Sequence, residues 1–480
     1  MLSPARVRRS ASCTACPVQI TQLDSMSVFS RSAIRSLAFA ATAALVVASC
    51  ASDNEDRSYT PPTTAPAPTT SSTTKTTGPS STDGRRAATP TAIPNEVPPG
   101  VTLREPDGSY PAGLPNDPMF FALGVWLETV TNEAEVALDR SFGLNLYVGL
   151  AHDDLVDLNA IEASGLHLLI QADEWSGDPR ADHPAVDGWM IFDEADLTFG
   201  PGWDDWNGRD GWNTCNPIQD QGGKCGYTVM QHFNDRVPPG ALRYTNYGVG
   251  VLHFESDAEA EVFINNGFQD VVSADDYAFT NPHGGAADRK GAAYGWTVNR
   301  IRTLDGLDGV RQPVWGFVEV GHPFSEVAAP TISAPQMRSA VWHSIIAGAQ
   351  GIVYFNHSFG GSCPTSSVLR ARCDPEMTPA VTEVNSQITE LAPVLNAPFA
   401  DGYVTAEGPV KVMAKLGPDG AWYVFAGADT TATPGDDVTL SVAAGSAVDV
   451  LFENRSLTVT DGQFVDSFAD GNAVHIYRVT

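Results

Sequence analysis

Eight short apolar runs, separated by helix-like stretches, constrain the fold of this chain more than any other feature. They are Phe120–Val125, Leu144–Leu150, Leu166–Ala172, Gly188–Phe192, Leu242–Asn246, Val271–Ala274, Val314–Val318 and Gly351–Phe355. Near-continuous apolar runs of this length read as strands covered on both faces. Between them lie amphipathic stretches such as Asp153–Ser164, Ser256–Asn266 and Gln336–Ala349. The last has Ser333 and Gln336 at capping-box spacing and Pro335 in the first turn. Repeated strand–helix alternation predicts an α/β fold, the (β/α)8 or TIM barrel, over residues 101–397. A doubly wound open sheet is the alternative, but no glycine-rich phosphate loop follows the first run.

After Leu395 the pattern changes to alternation of apolar and polar residues. Val410–Ala414, Ala421–Ala426, Val438–Val442, Val448–Phe452 and Val474–Val479 are divided by Gly, Asp and Pro. A small antiparallel β-sandwich is expected over residues 398–480.

The first hundred residues carry no folding pattern. Residues 1–25 read as an over-extended gene start ahead of Met26. Arg31, Arg35 and the apolar Leu37–Val47 have the order of an export signal, too short to span a membrane. Val47-Ala48-Ser49-Cys50 looks like a bacterial lipobox, which makes Cys50 the lipidated first residue of the mature chain. An ordinary cleaved signal with an incidental Cys50 is the alternative. Residues 50–100, with runs such as Pro62-Thr63-Thr64-Ala65-Pro66-Ala67-Pro68, read as an extended Thr/Ser/Pro-rich tether. The expected location is the extracytoplasmic face of a bacterial membrane, reached through the lipid anchor alone.

Cysteine usage agrees with export. Of seven cysteines, Cys13 and Cys16 precede the expected start and Cys50 is assigned to lipid. Cys215 with Cys225 and Cys363 with Cys373 each close a short loop and are expected as disulfides. Four thiolates around zinc are the alternative, but the pairs lack C-x-x-C spacing, and no metal or cofactor is expected. A formal net charge of −29 speaks against nucleic acid as a partner and for a self-repelling, monomeric exterior.

The acids that end the apolar runs carry the chemistry. Run four passes straight into Asp193 and Glu194, and run seven ends in Glu319. A parallel barrel brings all its strand ends to one face, so these groups meet over one pocket. Two opposed carboxylates are the minimal equipment for hydrolysing a glycosidic bond. The competing use of Asp193 and Glu194 is to stabilise a helix N-terminus. Asp193-Glu194-Ala195-Asp196 also spells a helicase tetrapeptide, a coincidence given that the chain has no G-x-x-x-x-G-K-[ST]. Further candidates for holding a sugar are Asp173 and Glu174 after run three, Asn246 at the end of run five, and Asp276 and Tyr277 after run six. Trp315 and His322 flank Glu319, Asn356 follows run eight, and Trp206 stands with Trp203 and Trp212 in the insertion after run four. For the tryptophans, packing of the insertion competes with stacking on sugar rings.

With these residues in place, the segment from Phe120 to Leu395 resembles the clan of retaining (β/α)8-barrel glycoside hydrolases. In that clan the acid/base and nucleophile glutamates end strands four and seven. Gln336 to Phe355 looks like the clan's last helix and strand, and Val474–Val479 like the closing strand of its C-terminal domain. The resemblance implies Glu194 as acid/base, Glu319 as nucleophile and Tyr277 as the hydrogen-bond partner of the nucleophile. It also implies a carboxyl separation of about 5–5.5 Å, as direct attack requires. Two departures stand out: Asp193 occupies the position where the clan has Asn, and Phe355 stands where tryptophan is frequent. The expected protein is a surface-anchored, metal-independent glycoside hydrolase acting on a polysaccharide or oligosaccharide. A carbohydrate-binding lipoprotein on a degenerate, non-catalytic barrel is the alternative. A metal-dependent deacetylase or amidase is disfavoured because no H-E-x-x-H is present.

Overall fold

Apolar runs covered on both sides close here into a barrel. The computed structural model describes residues 97–480, except 154, 209–213, 266, 327 and 432–434. The export signal, Cys50, Trp212 and the tether up to residue 96 lie outside the described residues. The barrel strands are β1 (Ala122–Trp126), β2 (Leu146–Leu150), β3 (His167–Gln171), β4 (Gly188–Asp193), β5 (Leu242–Tyr247), β6 (Val271–Ala274), β7 (Val314–Glu319) and β8 (Gly351–Phe355). All are parallel, each pairs with its sequence neighbour, and β8 pairs with β1 to close the ring. One buried cluster fills the ring, including Trp126, Met190, Tyr244, Trp315 and Phe317. Outward residues of the same strands, among them Val125, Ile191, Val272 and Val318, pack under the helices.

The helix Ala334–Ile346 opens with the expected capping box: Gln336 accepts from the Ser333 backbone N–H at 2.9 Å. Two reciprocal bonds there satisfy donors that a helix start leaves open. Helix Met377–Leu395 completes the barrel wall.

Nine strands follow: β9 (Phe399–Asp401), β10 (Val404–Glu407), β11 (Val410–Leu416), β12 (Trp422–Ala428), β13 (Gly435–Val442), β14 (Ala447–Val450), β15 (Arg455–Thr458), β16 (Gln463–Phe468) and β17 (Val474–Val479). They form a sandwich whose inner faces share one core of Val424, Leu440, Phe464, Phe468 and Tyr477. The larger sheet runs β9-β11-β12-β17-β14-β15, and the smaller runs β10-β13-β16. Residues Thr102–Arg104, placed with the barrel on sequence, instead pair antiparallel with β9 at the edge of the larger sheet. The chain therefore touches the sandwich before it enters the barrel.

Sandwich and barrel are joined by apolar and polar contacts. Trp342 stacks on Phe425 at 6.0 Å, and His343 Nε2 lies 3.0 Å from the Ala428 carbonyl. Lys415 is buried and donates to the carbonyls of Leu395 and Ala397, each at 2.9 Å, at the end of the last barrel helix. Cys215 pairs with Cys225, and Cys363 with Cys373. The first pair ties down the insertion after β4.

Candidate active site

Strand β4 delivers its acids to the mouth by breaking its own alternation. Met190 faces the interior opposite Tyr244, and two residues later on β5 Asn246 already lies opposite Asp193. The extra residue in β4 is a bulge, which re-aims the side chains beyond it. Phe192 therefore stays outside, stacked on Phe233 at 5.4 Å, while Asp193 turns inward. Glu194 follows with φ of +52°, a left-handed backbone that is costly for a residue with a Cβ and that concentrates at functional sites. Its backbone is pinned on both sides: its N–H donates to the Asn246 carbonyl at 3.0 Å, and its carbonyl accepts from Thr198 at 2.9 Å. Asp196 accepts from the N–H groups of Gly248 (3.0 Å) and Val251 (2.9 Å), which locks the loop after β5 against this turn.

A polar chain rises through the barrel to meet these acids. Ser273 Oγ lies 2.6 Å from the Tyr244 hydroxyl and donates to Asn246 Oδ1 at 2.6 Å. With its oxygen engaged, Asn246 turns its amide N–H groups to Asp193 (3.1 Å) and Asp275 (2.9 Å). The charge of Asp275 bears on the Glu194 carboxyl, and Tyr277 is among the groups that favour the Asp275 anion. Asp193, Glu194 and Asp275 thus crowd one half-buried corner of the mouth. Burial, then the Asp275 charge, raises both Asp193 and Glu194 well above the usual carboxylate range. Burial pushes Asp275 up to about 7, with the Asn246 amide and Tyr277 hydroxyl working the other way.

Glu319 sits in different surroundings. Trp315, Phe317 and Glu319 share the inward face of β7 by alternation. Glu319 has 0 % of its surface exposed. It accepts from the Tyr294 hydroxyl at 2.7 and 2.9 Å and from Thr280 Oγ1 at 3.0 Å. Burial pushes it up to about 7, and these hydroxyls hold it down from going further. Its hydrogen-bonded tyrosine is Tyr294, on the helix Gly291–Asp305, in place of the expected Tyr277. Tyr277 lies within the field of both glutamates and between Phe317, Phe324 and Phe355.

Several residues expected to hold sugar are committed elsewhere. Trp315 is buried near the start of β7, stacked on Tyr244 at 5.1 Å and donating to the Tyr110 hydroxyl at 3.2 Å; it plugs the far end of the barrel. His322 is 2 % exposed and is bonded to Thr331 Oγ1 at 3.0 Å, bracing its own loop. Asn356 is 1 % exposed and spends both ends of its amide on Glu128 (2.6 Å), Ser367 (3.0 Å) and the Leu369 N–H (3.0 Å). Trp206 lies in a two-residue strand of the insertion and packs on Phe199, His232 and Phe233, behind β4. Glu174 accepts the His152 N–H at 2.8 Å and organises the loop after β2, while Asp173 beside it is exposed. Asp276 bonds His253 at 2.9 Å, and His253 stacks on Trp296 at 4.9 Å.

Sequence reasoning did not single out Tyr294, Thr280, Ser273 or Glu128. Glu128 follows β1 and is 5 % exposed, held by Asn356 and by Arg370 at 3.2 Å. Its signal was an acid after an apolar run, the same signal that marked Glu194 and Glu319.

No protein-family model matches this chain, and no curated protein matches it. Among solved structures it is similar to a family 39 glycoside hydrolase from Bacteroides cellulosilyticus WH2, with 15% identity over 76% of this chain and 82% of that chain and a TM-score of 0.47. It is also similar to a family 42 β-galactosidase from G. stearothermophilus, with 10% identity over 78% and 99% of the two chains and a TM-score of 0.49. A third is an α-amylase from Geobacillus thermoleovorans, with 11% identity over 76% and 99% and a TM-score of 0.46. Likenesses this distant carry no argument about the chemistry of this chain, which rests on its own residues.

Proposed function

We propose that this protein is a retaining glycoside hydrolase in which Glu194 protonates the leaving oxygen and Glu319 attacks the anomeric carbon. The observation that carries the proposal is the pairing of two glutamates at the ends of β4 and β7 with environments suited to opposite tasks. Glu194, among other acids, keeps its proton and serves as the donor. Glu319, surrounded by hydroxyl donors, is stabilised as the anion once it ionises.

The reaction then runs in two steps. Glu319 bonds to the anomeric carbon as the glycosidic bond breaks and the Glu194 proton passes to the leaving oxygen. Glu194, now a carboxylate, takes a proton from water, and the resulting nucleophile releases the sugar from Glu319. The substrate is a polysaccharide or oligosaccharide outside the cell, met by an enzyme tethered through Cys50.

The test is a panel of polysaccharides scored for new reducing ends, with NMR of the first-formed anomer on any that respond. Retention of configuration is expected, together with a separation of about 5–5.5 Å between the two carboxyl groups in a substrate-bound crystal structure. An inverted product removes the nucleophile role from Glu319. Tight binding of an oligosaccharide without cleavage, unchanged in Glu194→Gln and Glu319→Gln, makes the protein a binder.

A further inference from the structure

An open groove of about 870 Å³ lies along the last barrel helix, Met377–Leu395, and takes none of its lining from a barrel strand. Arg372 lines it from the loop after β8, beside Cys373, and Phe452 lines it from the turn between β14 and β15 of the sandwich. Several polar groups along it are already engaged. Thr378 and Thr382 donate to the carbonyls of Leu369 (3.2 Å) and Thr378 (2.8 Å), and Asp374 accepts from the N–H groups of Glu376 and Met377. Glu383 pairs with Arg338. Others are uncommitted: within the described residues the side chains of Ser386, Gln387 and Glu390 bond nothing. The Arg372 guanidinium makes no ion pair there either, although the chain carries a net charge of −29. It lies instead 5.4 Å from the centre of the buried Phe142 ring.

Two of the lining residues hold a left-handed backbone, Arg372 with φ of +51° and Phe452 with φ of +65°. That conformation is costly for a residue with a Cβ and persists only where the surroundings fix it. Around Phe452 they do. The N–H of the preceding Leu451 donates to the Ile476 carbonyl at 2.8 Å, and the Leu451 side chain packs against the barrel core. The phenyl ring is thereby presented outward, 42 % exposed, at a turn position that Asn or Gly would fill with less strain.

An exposed ring beside free hydroxyl, amide, carboxylate and guanidinium groups suits a ligand with an apolar face and edges that both donate and accept hydrogen bonds, which is the chemistry of a pyranose. Asp374, Glu383 and Glu390 outnumber Arg372 along the groove, so an anionic chain is disfavoured. From Thr378 to Glu390 the helix runs about 18 Å, room for several linked sugars. We propose that this groove is a second glycan site, which holds a neutral polysaccharide chain outside the catalytic mouth. Phe452 stacks on a sugar ring there, and Arg372, Gln387 and Glu390 bond its hydroxyls. That the bound chain is also the substrate rests on the reaction proposed above; binding in the groove does not.

The test is affinity electrophoresis of the full chain in gels containing soluble starch, mixed-linkage β-glucan, xylan or galactomannan, with Glu319→Gln as the background so that no polymer is cut during the run. At least one polymer is expected to retard the protein. Phe452→Asn in that background weakens the retention about threefold to tenfold, while Tm does not fall, because Asn accepts the left-handed turn. Arg372→Asn, at the other left-handed position, weakens it in the same direction. With Glu319 restored, Phe452→Asn raises KM on the retained polymer by the same factor and leaves kcat unchanged. KM for a trisaccharide cut from that polymer stays as in wild type, because it is too short to occupy mouth and groove together. Retention unchanged in both variants, or retardation by none of the polymers, overturns the inference. Should Phe452→Asn not fold, Arg372→Asn decides alone. Failure of the underlying reading looks different: retention is then lost in the variants as expected, but wild type releases no reducing ends from any polymer.

Discussion

The corner at β4 and the pocket at β7 each hold a strand-end glutamate, half-buried in the first and fully buried in the second, and their neighbours make them opposites. Desolvation first, then the charges of Asp275, Asp193 and Asp196, disfavour the ionisation of Glu194. Glu319 is met by the hydroxyls of Tyr294 and Thr280, which favour its anion against the cost of burial. A third strand-end glutamate, Glu128, completes the comparison. It is also pushed up to about 7 by burial, but Arg370 beside it and the Asn356 amide make it part of a structural brace. Position at a strand end therefore supplies a carboxylate to the mouth, and the surrounding donors decide what it does.

The largest effect that separates these roles is on turnover. Glu194→Gln should lower kcat by about 10²–10⁴-fold, as loss of a general acid does. Glu319→Gln should abolish turnover to at least that extent, with circular dichroism unchanged in both. A Glu128→Gln variant that loses activity as steeply while folded would break the distinction between brace and site.

Next in size is the brace itself. Arg370 contacts Glu128, the buried Asp139 and the Thr129 carbonyl (2.6 Å) at once. Arg370→Met should destabilise the fold by about 3–5 kcal/mol, because it leaves buried carboxylates without their counter-ion. Denaturant unfolding checks this, and kcat per folded molecule should hold.

The ionisation of Glu319 gives a signed pH dependence. Its pKa in the fold is about 7 against an ordinary 4.5. In the nucleophile role proposed for it, Glu319 must be ionised, so activity is expected to fall as pH drops through about 7. Tyr294→Phe removes the hydroxyl on both oxygens and should move that acid limb to higher pH, costing about tenfold at neutral pH. Stability has the matching sign. The folded state holds a proton on Glu319 that the unfolded state releases, so the contribution of this group is present below about pH 4.5 and is lost as pH rises through about 7. Glu319→Gln should therefore raise Tm relative to wild type by an amount that grows between about pH 5 and pH 8. A constant difference across that range contradicts the assignment.

The smallest expected effect concerns Trp206. It packs behind β4 on Phe199 and Phe233, so Trp206→Phe should leave KM unchanged and cost about 1 kcal/mol or less of stability.

The barrel strands were legible because strands buried on both faces are near-continuous apolar runs, and Val271–Ala274 and Gly351–Phe355 begin and end where the runs do. The sandwich was legible in part. Gln463–Phe468 alternates cleanly, but one of its inward residues is Asp466, paired with Arg455 at 2.7 Å and Tyr477 at 2.9 Å, so its apolar face is interrupted. Thr102–Arg104 has too few residues to show a period, and its partner strand lies almost 300 residues away, with Thr102 opposite Asp401. At the site, the strand-end acids were visible and their partners were not. Tyr294 belongs to a helix 25 residues before Glu319, and nothing local marks it. Trp315 shares the inward face with Glu319, as alternation indicates, but periodicity carries no information about depth, and Trp315 fills the opposite end of the barrel.

In the proposed reaction Glu319 becomes covalently bonded to the sugar. Incubation with activated 2-deoxy-2-fluoro glycosides matched to a responsive substrate, followed by proteolysis and mass spectrometry, reads this directly. One glycosyl adduct is expected, on the peptide carrying Glu319, formed in wild type and absent in Glu319→Gln. An adduct on Asp275 or Glu194, or turnover of substrate with no adduct and an inverted product, would contradict it.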